Sequence, residues 1–232
     1  MAAASWAGSR KFTGVLLAST LLCACGGGDL HSSNLLSGTA ATGAPLVGAT
    51  VRLRCVGGSM FQTSTNVSGL WQITVTGQPL PCAVQASEGS VNDLPNTTIY
   101  HSVALSFGVT NITPLTDLVL ARMLGAAPQA WFDRPDFAQV SNATVQSALD
   151  AVSAGLGLTK ALRQANPLTA PFVADSNDYL DVVLSAMAST LAKPAVNKRY
   201  SDLLDAAIAA DFSAVASFAP TFATEYVRPG SD

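Results

Sequence analysis

The chain has 232 residues, of which 49% are hydrophobic and only 12% are charged, and its 12 basic and 15 acidic residues give a net charge of −3. A chain of this length can bury a sizeable core in one or two domains. The acidic balance argues against nucleic acid as a partner, because nucleic-acid binding requires a basic surface.

The amino terminus carries a predicted export signal. Arg10 and Lys11 precede an uncharged, mostly apolar stretch that runs to Leu22. This stretch has the length of a signal-peptide core and is shorter than the roughly 20 apolar residues of a membrane-spanning helix. It ends in Leu-Cys-Ala-Cys at positions 22–25, which resembles the bacterial lipobox. The resemblance implies a lipoprotein signal peptide over residues 1–24 and diacylglycerol on Cys25.

The position of the second cysteine decides which one is acylated. If Cys23 were the acceptor, Leu22 would precede the cut, where a small residue is required, whereas Cys25 follows Ala24. Ordinary cleavage after Ala24 is the alternative. Cys25 and the glycine-rich stretch after it, residues 25–34, are predicted to form a lipidated tether. The residue after Cys25 is Gly26 and not aspartate. By resemblance to lipoproteins of Gram-negative bacteria, this implies sorting to the outer membrane rather than retention at the inner one, with a periplasm-facing anchor.

Two cysteines remain for the folded part of the chain. Removal of the signal peptide takes away Arg10 and Lys11, which leaves ten basic against fifteen acidic residues, a formal charge of −5. Cys55 and Cys82 then lie in an oxidising compartment, where a disulfide is expected. Two free buried thiols are the alternative. A zinc site is disfavoured because no histidine lies nearby in the sequence, and we predict neither a metal nor a cofactor.

Residues 35–108 alternate between hydrophobic and polar positions with a period of two. The alternation is clearest over 49–55, 71–76 and 82–86, and turns rich in glycine, proline and asparagine separate these runs. Short alternating strands with frequent turns predict a β-sandwich in which one face of each sheet points inward. Cys55 and Cys82 are both in phase with the apolar set of their own strand, so both are expected to point into the same core.

Three motifs of this region resemble a known module. They are the run from Gly43 to Val51, the threonines between Thr63 and Thr65, and Gly-Leu-Trp at positions 69–71. Together they resemble the carboxypeptidase-regulatory-like family over about a quarter of the chain. That resemblance implies a transthyretin-like sandwich of about seven strands. The whole chain also resembles uncharacterised proteobacterial lipoproteins, a resemblance that implies no activity.

Residues 109–232 change to helical periodicity and are predicted to form an α-helical bundle. The fold class is therefore α+β in two parts. A helix is expected to start at Thr113-Pro114 and to stop at Gly125, because threonine is a good N-cap and proline suits the first helical position. Further helices are expected from Ser141 or Asn142, from Asn177 to Ala192, over 200–210, and over 211–219. The proline-flanked region around Trp131 is predicted to be a loop packed on the bundle.

The candidate chemistry is sparse. His31 lies in the tether, and His101 shares a predicted strand face with Ile99, Val103, Leu105 and Phe107, where a core role is favoured over that of a catalytic base. Ser102 should point to the opposite face, so it cannot cooperate with that histidine.

An acidic cluster and two tryptophans are further candidate ligand sites. Asp175, Asp178 and Asp181 with Asn177 could bind calcium weakly, but a helix cap explains these residues more simply. Trp71 is in phase with a strand core, which leaves Trp131 as the more open candidate for stacking on a sugar.

The leading hypothesis is a non-enzymatic, lipid-anchored binding or envelope-interaction module with no catalytic residues. Its expected partners are the membrane, through the N-terminal lipid, and an envelope protein or glycan. Two alternatives stay open. One is a hydrolase with a site around His101 at the junction of sandwich and bundle. The other is a carrier of apolar ligands, which would require a sizeable apolar cavity between the helices.

Overall fold

A computed structural model of the chain describes residues 34–175 and 177–226. The predicted signal peptide, Cys25 and His31 lie outside the described residues. The strands are β1 Leu35–Thr39, β2 Thr50–Cys55, β3 Met60–Ser64, β4 Leu70–Thr74, β5 Cys82–Ser87, β6 Ser90–Val91, β7 Leu94–Pro95, β8 Tyr100–Ala104 and β9 Gly108–Val109. The helices are α1 Pro114–Leu124, α2 Pro128–Asp133, α3 Asn142–Gly155, α4 Tyr179–Ala192, α5 Tyr200–Ala209 and α6 Phe218–Glu225, with a 3-10 turn at Ser213–Val215.

The strands form two main sheets and one small ribbon. The three-stranded sheet has the order β4-β1-β9, with β1 antiparallel to β4 and parallel to β9. The four-stranded sheet has the order β3-β2-β5-β8 and is antiparallel throughout. β6 and β7 pair with each other, and Ser90 of β6 also bridges to Val47. All strands precede all helices within the described chain, so the predicted α+β class is confirmed.

The two main sheets share one hydrophobic core. Leu36 and Trp71 enter this sheet core from the three-stranded sheet, and Leu53 and Val84 enter it from the four-stranded sheet. In β2 every second side chain is buried, which confirms the period of two predicted over 49–55. Alternation works here because successive side chains of a strand point to opposite faces.

The other face of the four-stranded sheet is covered by helices. All six residues of β5 and all five of β8 are buried. Ala83 and Val103 pack in an interface cluster with residues of α1, α2 and α3, including Val119, Trp131 and Leu149. These helices shield that face from water, so β5 and β8 are buried on both faces. An alternating pattern would imply only one buried face.

The face predicted for residues 99–107 is only partly correct. His101, Val103 and Leu105 face the helices as predicted, but Ile99 is 39% exposed and Phe107 packs on the sheet core instead. The physical reason is that β8 covers only Tyr100–Ala104. Beyond the ends of a strand its alternation need not continue.

Two helices begin where their caps predict. Thr113 accepts a hydrogen bond from the N–H of Thr116 and forms a capping box with it, and Gly125 ends α1 in the left-handed conformation at φ 60°. Ser141 caps α3 in the same way through Thr144. These bonds satisfy backbone N–H groups that a helix start leaves unpaired.

Two other helices differ from the sequence prediction. The region around Trp131 is a six-residue helix, α2, rather than a loop, and its length gives too few turns for a periodic pattern. The predicted helix over 211–219 is instead a 3-10 turn followed by α6, which runs past Pro220. Proline is tolerated in the first turn of a helix because no partner is needed for its missing N–H there.

A second core lies among the helices. It is formed by buried side chains of α1, α3, α4, α5 and α6, among them Leu118, Leu184, Leu203 and Phe222. The described residues belong to one compact unit. Within them, no helix combines the length and the apolar content that crossing a membrane would require.

A buried asparagine ties the loop after α3 to the sheets. Asn111 is fully buried, and its Oδ1 accepts from the backbone N–H of Thr39 at 3.2 Å. Its Nδ2 donates to the carbonyls of Pro167, at 3.0 Å, and Ala170, at 2.7 Å. One amide thus satisfies three backbone groups from distant parts of the chain.

Cys55 and Cys82 form the predicted disulfide. They are direct cross-strand neighbours on β2 and β5, and both are buried in the sheet core.

Reduction of this disulfide should destabilise the protein by roughly 3–4 kcal/mol, because in the chain-entropy model that is the effect of a cross-link between residues 27 positions apart. The urea midpoint of the reduced protein is therefore expected to fall below that of the oxidised protein. In the Cys55→Ala/Cys82→Ala variant the reductant should have no effect. Equal midpoints for the oxidised and reduced parent would contradict this prediction.

Candidate functional site

His101 lies on β8 and faces helices α1 and α2. Its side chain is only 3% exposed, and β8 pairs it directly with Gln85 on β5. Its ring lies 6.0 Å from that of Phe132 on α2, centroid to centroid. The ring is therefore enclosed between the four-stranded sheet and the helices that cover it.

Asp117 of α1 holds one side of the histidine. Its Oδ1 lies 2.7 Å from His101 Nδ1 and also accepts the backbone N–H of His101 at 3.2 Å. The hydroxyl of Thr116 donates to the His101 carbonyl at 2.8 Å. Because the Thr113 cap fixes where α1 begins, these contacts bind the first turn of α1 to β8. The negative carboxylate is favoured there by the helix dipole.

Two glutamines close the other side of the histidine. His101 Nε2 lies 3.2 Å from Oε1 of Gln129 on α2 and 3.3 Å from Nε2 of Gln85. Gln85 also donates to Gln129 at 2.7 Å. Both ring nitrogens of His101 therefore have partners inside the protein.

No nucleophile adjoins this histidine in the described chain. The hydroxyl of Ser102 lies on the opposite face of β8, as strand alternation predicts, and it has no hydrogen-bond partner there. No serine, threonine or cysteine side chain of residues 34–175 and 177–226 bonds to the His101 ring. The arrangement is an acid–histidine pair without the third member that nucleophilic catalysis requires.

Tyr200 extends the network to α5. Its hydroxyl donates to Asp117 Oδ2 at 2.6 Å and lies 3.2 Å from the carbonyl of Pro114. Burial, and then the negative charge of Asp117, raise the pKa of Tyr200 well above its usual value. The hydroxyl therefore stays protonated and acts as a donor. Asp117 thus joins β8, α1 and α5.

The ring of Tyr200 also lines a groove at the junction of the sheets and the helices. It meets Tyr100 edge to face with a centroid distance of 5.7 Å, and burial raises the pKa of Tyr100. The groove encloses about 240 Å³, and its other lining residues are Thr42, Pro114, Leu184, Met187, Ala188 and Leu191. This volume is below the roughly 300–1,000 Å³ of small-molecule sites, so the groove suits one bulky side chain better than a long acyl chain.

The acidic cluster before α4 is built as a helix start. Asp178 is the N-cap and accepts from the N–H of Leu180 at 3.0 Å, while Asp175 accepts from Asn177 at 3.0 Å. The predicted cap at this position is therefore confirmed. In the described part of the chain no three acidic, histidine or cysteine side chains lie close enough together to hold a metal ion.

Asp181, in the first turn of α4, is the buried member of this cluster. It is 2% exposed, and its Oδ1 has no hydrogen-bond partner among the described residues. Burial, and then the negative charges of Asp175 and Asp178, raise the pKa of Asp181 to about 6.

Neither tryptophan of the described chain offers a stacking platform to a sugar. Trp131 is 8% exposed, donates to the carbonyl of Asp136 at 2.9 Å, and packs edge-on against Phe137. Trp71 is 3% exposed and belongs to the sheet core, as its phase predicts.

The partners of His101 could not be found from the sequence. Asp117 lies in the first turn of the helix predicted from Thr113, where an acidic residue is common, and no sequence pattern marks Tyr200 or Gln129. Tyr200 lies 83 positions from Asp117, and only packing of α5 against α1 brings them together. The comparisons add nothing to the site, since no protein-family model, no curated protein and no solved structure matches the chain.

Tyr200→Phe should lower the free energy of unfolding by about 1–3 kcal/mol, because it leaves an oxygen of the buried Asp117 carboxylate without its donor. Chemical denaturation measures the change. Tyr179→Phe is the matched control, since that hydroxyl has no partner among the described residues, and it should leave stability nearly unchanged. Equal losses in the two variants would refute a specific role for the Tyr200 bond.

Asp181→Asn should change how stability depends on pH. A raised carboxyl pKa means that the folded protein holds the proton more tightly than the unfolded chain. The stabilisation is complete below pH 3.8 and is lost as the pH rises through about 6. The unfolding free energy of the parent should therefore decrease as the pH rises from about 4 to about 7. In Asp181→Asn this decrease should be absent.

Denaturation curves across this pH range provide the measurement. Asp205→Asn, which replaces a solvent-facing aspartate of α5, should keep the pH profile of the parent. A parent whose profile already matches that of Asp181→Asn would count against the prediction.

Proposed function

We propose that the protein is a bacterial lipoprotein that is acylated on Cys25, anchored in the outer membrane on its periplasmic side, and active as a non-enzymatic binding module. The lipobox-like residues 22–25 and the glycine-rich tether support the anchor. The disulfide between Cys55 and Cys82 is in keeping with an oxidising compartment. Two or more acyl chains would give stable anchoring.

We also infer that residues 35–108 form a transthyretin-like sandwich of the carboxypeptidase-regulatory-like kind. The support is that the two main sheets share one core and that β4 begins at Leu70, within the Gly-Leu-Trp motif. Residues 109–232 would form the helical part. Such modules often serve in docking or adhesion, so this inference favours a binding role by analogy of fold.

The single observation that carries the non-enzymatic assignment is the enclosure of His101. A general base must come within hydrogen-bond reach of the substrate proton. His101 is 3% exposed, and Asp117, Gln85 and Gln129 occupy its ring nitrogens. The hydrolase alternative would require α2 to move away from the sheet and a nucleophile to be supplied from elsewhere.

The partner is better sought among envelope proteins than among glycans or lipids. Both tryptophans of the described chain are buried, so neither presents a face to a sugar. The tyrosine-lined groove of about 240 Å³ is small for an acyl chain. An envelope protein is the remaining partner class, and the anchor would keep the module close to it.

Cys25→Ser should abolish incorporation of labelled palmitate and move the protein from the outer-membrane fraction to the soluble periplasmic fraction. Cys23→Ser is the matched control, because Cys23 leaves with the signal peptide, and it should behave like the parent. If the Cys25→Ser protein were still labelled and still sedimented with the membrane, the anchor assignment would be wrong.

The binding role is checked in the same cells by chemical cross-linking of the intact envelope. The anchored parent and Cys23→Ser should give the same discrete cross-linked species, and Cys25→Ser should give less of it. A correctly anchored protein without any discrete cross-linked species would contradict the binding role while leaving the anchor intact.

A further inference from the structure

Strand β4 presents an open edge. Among the described residues it pairs only with β1, and the hydrogen bond from the Ala40 N–H to the Gly69 carbonyl sets which residues face that partner. Because antiparallel strands turn alternate residues toward each neighbour, the backbone groups of Gln72 and Thr74 point away from β1. Leu70 points the same way, but the preceding turn uses its backbone groups. The N–H and C=O groups of Gln72 and Thr74 have no partner strand in the described chain.

Residues of β4 line two cavities. Both share the same three consecutive residues, Leu70, Trp71 and Gln72. The first, of about 260 Å³, is also lined by residues of β1 and β9 and by Phe172, so it lies on the sheet side of β4. The second, of about 330 Å³, lies between β4 and the edge of β3. A strand laid along the open edge of β4 would therefore have the second cavity beside it.

The chemistry of the two cavities differs, but neither carries a charge. The first is mostly apolar, and Val109, Pro171 and Phe172 are among its lining residues. The second presents hydroxyl and amide groups from Thr63, Ser64 and Asn66. Uncharged linings favour an uncharged occupant, because a charged side chain would lose its water without gaining a counter-charge.

The edge also lacks the features that usually prevent strand addition. Exposed edges are commonly protected by charged residues, by proline or by a covering loop. β4 has the sequence Leu-Trp-Gln-Ile-Thr, with neither a charge nor a proline. In addition, the indole N–H of Trp71 is buried without an acceptor among the described residues, although the residue is only 3% exposed. Such a donor gains when an incoming carbonyl comes within its reach.

We propose that β4 binds an extended, uncharged segment of an envelope protein by strand addition. The backbone of the segment pairs with Gln72 and Thr74, and a neutral polar side chain enters the cavity beside Asn66. This inference rests on the proposed binding function and names its partner class. In this mode of recognition backbone hydrogen bonds supply affinity, and the pockets for alternate side chains supply specificity.

The test uses the mature chain and a phage-displayed library of random ten-residue peptides. We expect the selected peptides to be uncharged over their central residues. Gln72→Pro removes the outward N–H and should weaken binding of the best peptide at least tenfold. Gln72→Ala keeps that N–H and should weaken binding clearly less than Gln72→Pro does. Proline is compatible with an edge strand where its N–H would face away from the neighbouring strand.

A second measurement locates the peptide without relying on one variant. Amide hydrogen exchange at Gln72 and Thr74 should slow when the peptide binds, while exchange in β3 should not change. If Gln72→Pro failed to fold by circular dichroism, Thr74→Pro and Thr74→Ala would replace the pair. Undiminished binding to a folded proline variant, or protection of β3 instead of β4, would overturn the proposal.

Two further outcomes would also count against it. Protection of Gln72 and Thr74 that rises with protein concentration in the absence of peptide would identify a second copy of the chain as the occupant. A library without any enriched peptide would exclude a peptide occupant. The envelope cross-linking experiment distinguishes this proposal from the proposed function. A cross-linked species that is unchanged in Gln72→Pro would contradict strand addition at β4 but would still support the binding role.

Discussion

The carboxylate of Asp117 is the contact on which the joining of sheets and helices depends. It is 2% exposed and accepts three hydrogen bonds, two from His101 and one from Tyr200. A carboxylate buried without such donors would be very costly, so its partners must be in place whenever the helices cover the sheet. This one carboxylate therefore links β8 and α1 to α5, which lies far away in the sequence.

The sheets and the helices of the described chain pack as one compact unit. β5 is buried on both faces, and Ala83 and Val103 complete a cluster whose other members lie on α1, α2 and α3. A fragment that ended near residue 108 would expose this apolar face together with the polar ring of His101. The strand region has its own core, but it needs the helices to complete its outer surface.

Much of the fold could be predicted because its signals are local. The alternation in β2, the Thr113 and Ser141 caps and the disulfide all depend on residues that are close in sequence or in the same phase. The surroundings of His101 could not be predicted, because Tyr200 and Gln129 reach it only through packing between elements. The sequence does not predict α2, because one and a half turns are too short to show a helical period. The predicted last helix ends at residue 219, just before Pro220, whereas α6 contains Pro220 in its first turn, where proline is tolerated.

The burial of Asn111 bears on the choice of a host for producing the protein. Asn111, Ile112 and Thr113 form an acceptor pattern for N-linked glycosylation, which a eukaryotic secretory pathway attaches while the chain is still unfolded. A sugar on Nδ2 would take the place of the bonds to Pro167 and Ala170 and would have no room at a fully buried position. Such a host would therefore attach a sugar to the amide that holds the loop after α3 against β1. A bacterial periplasm would leave the Asn111 amide unmodified, so that these hydrogen bonds can form.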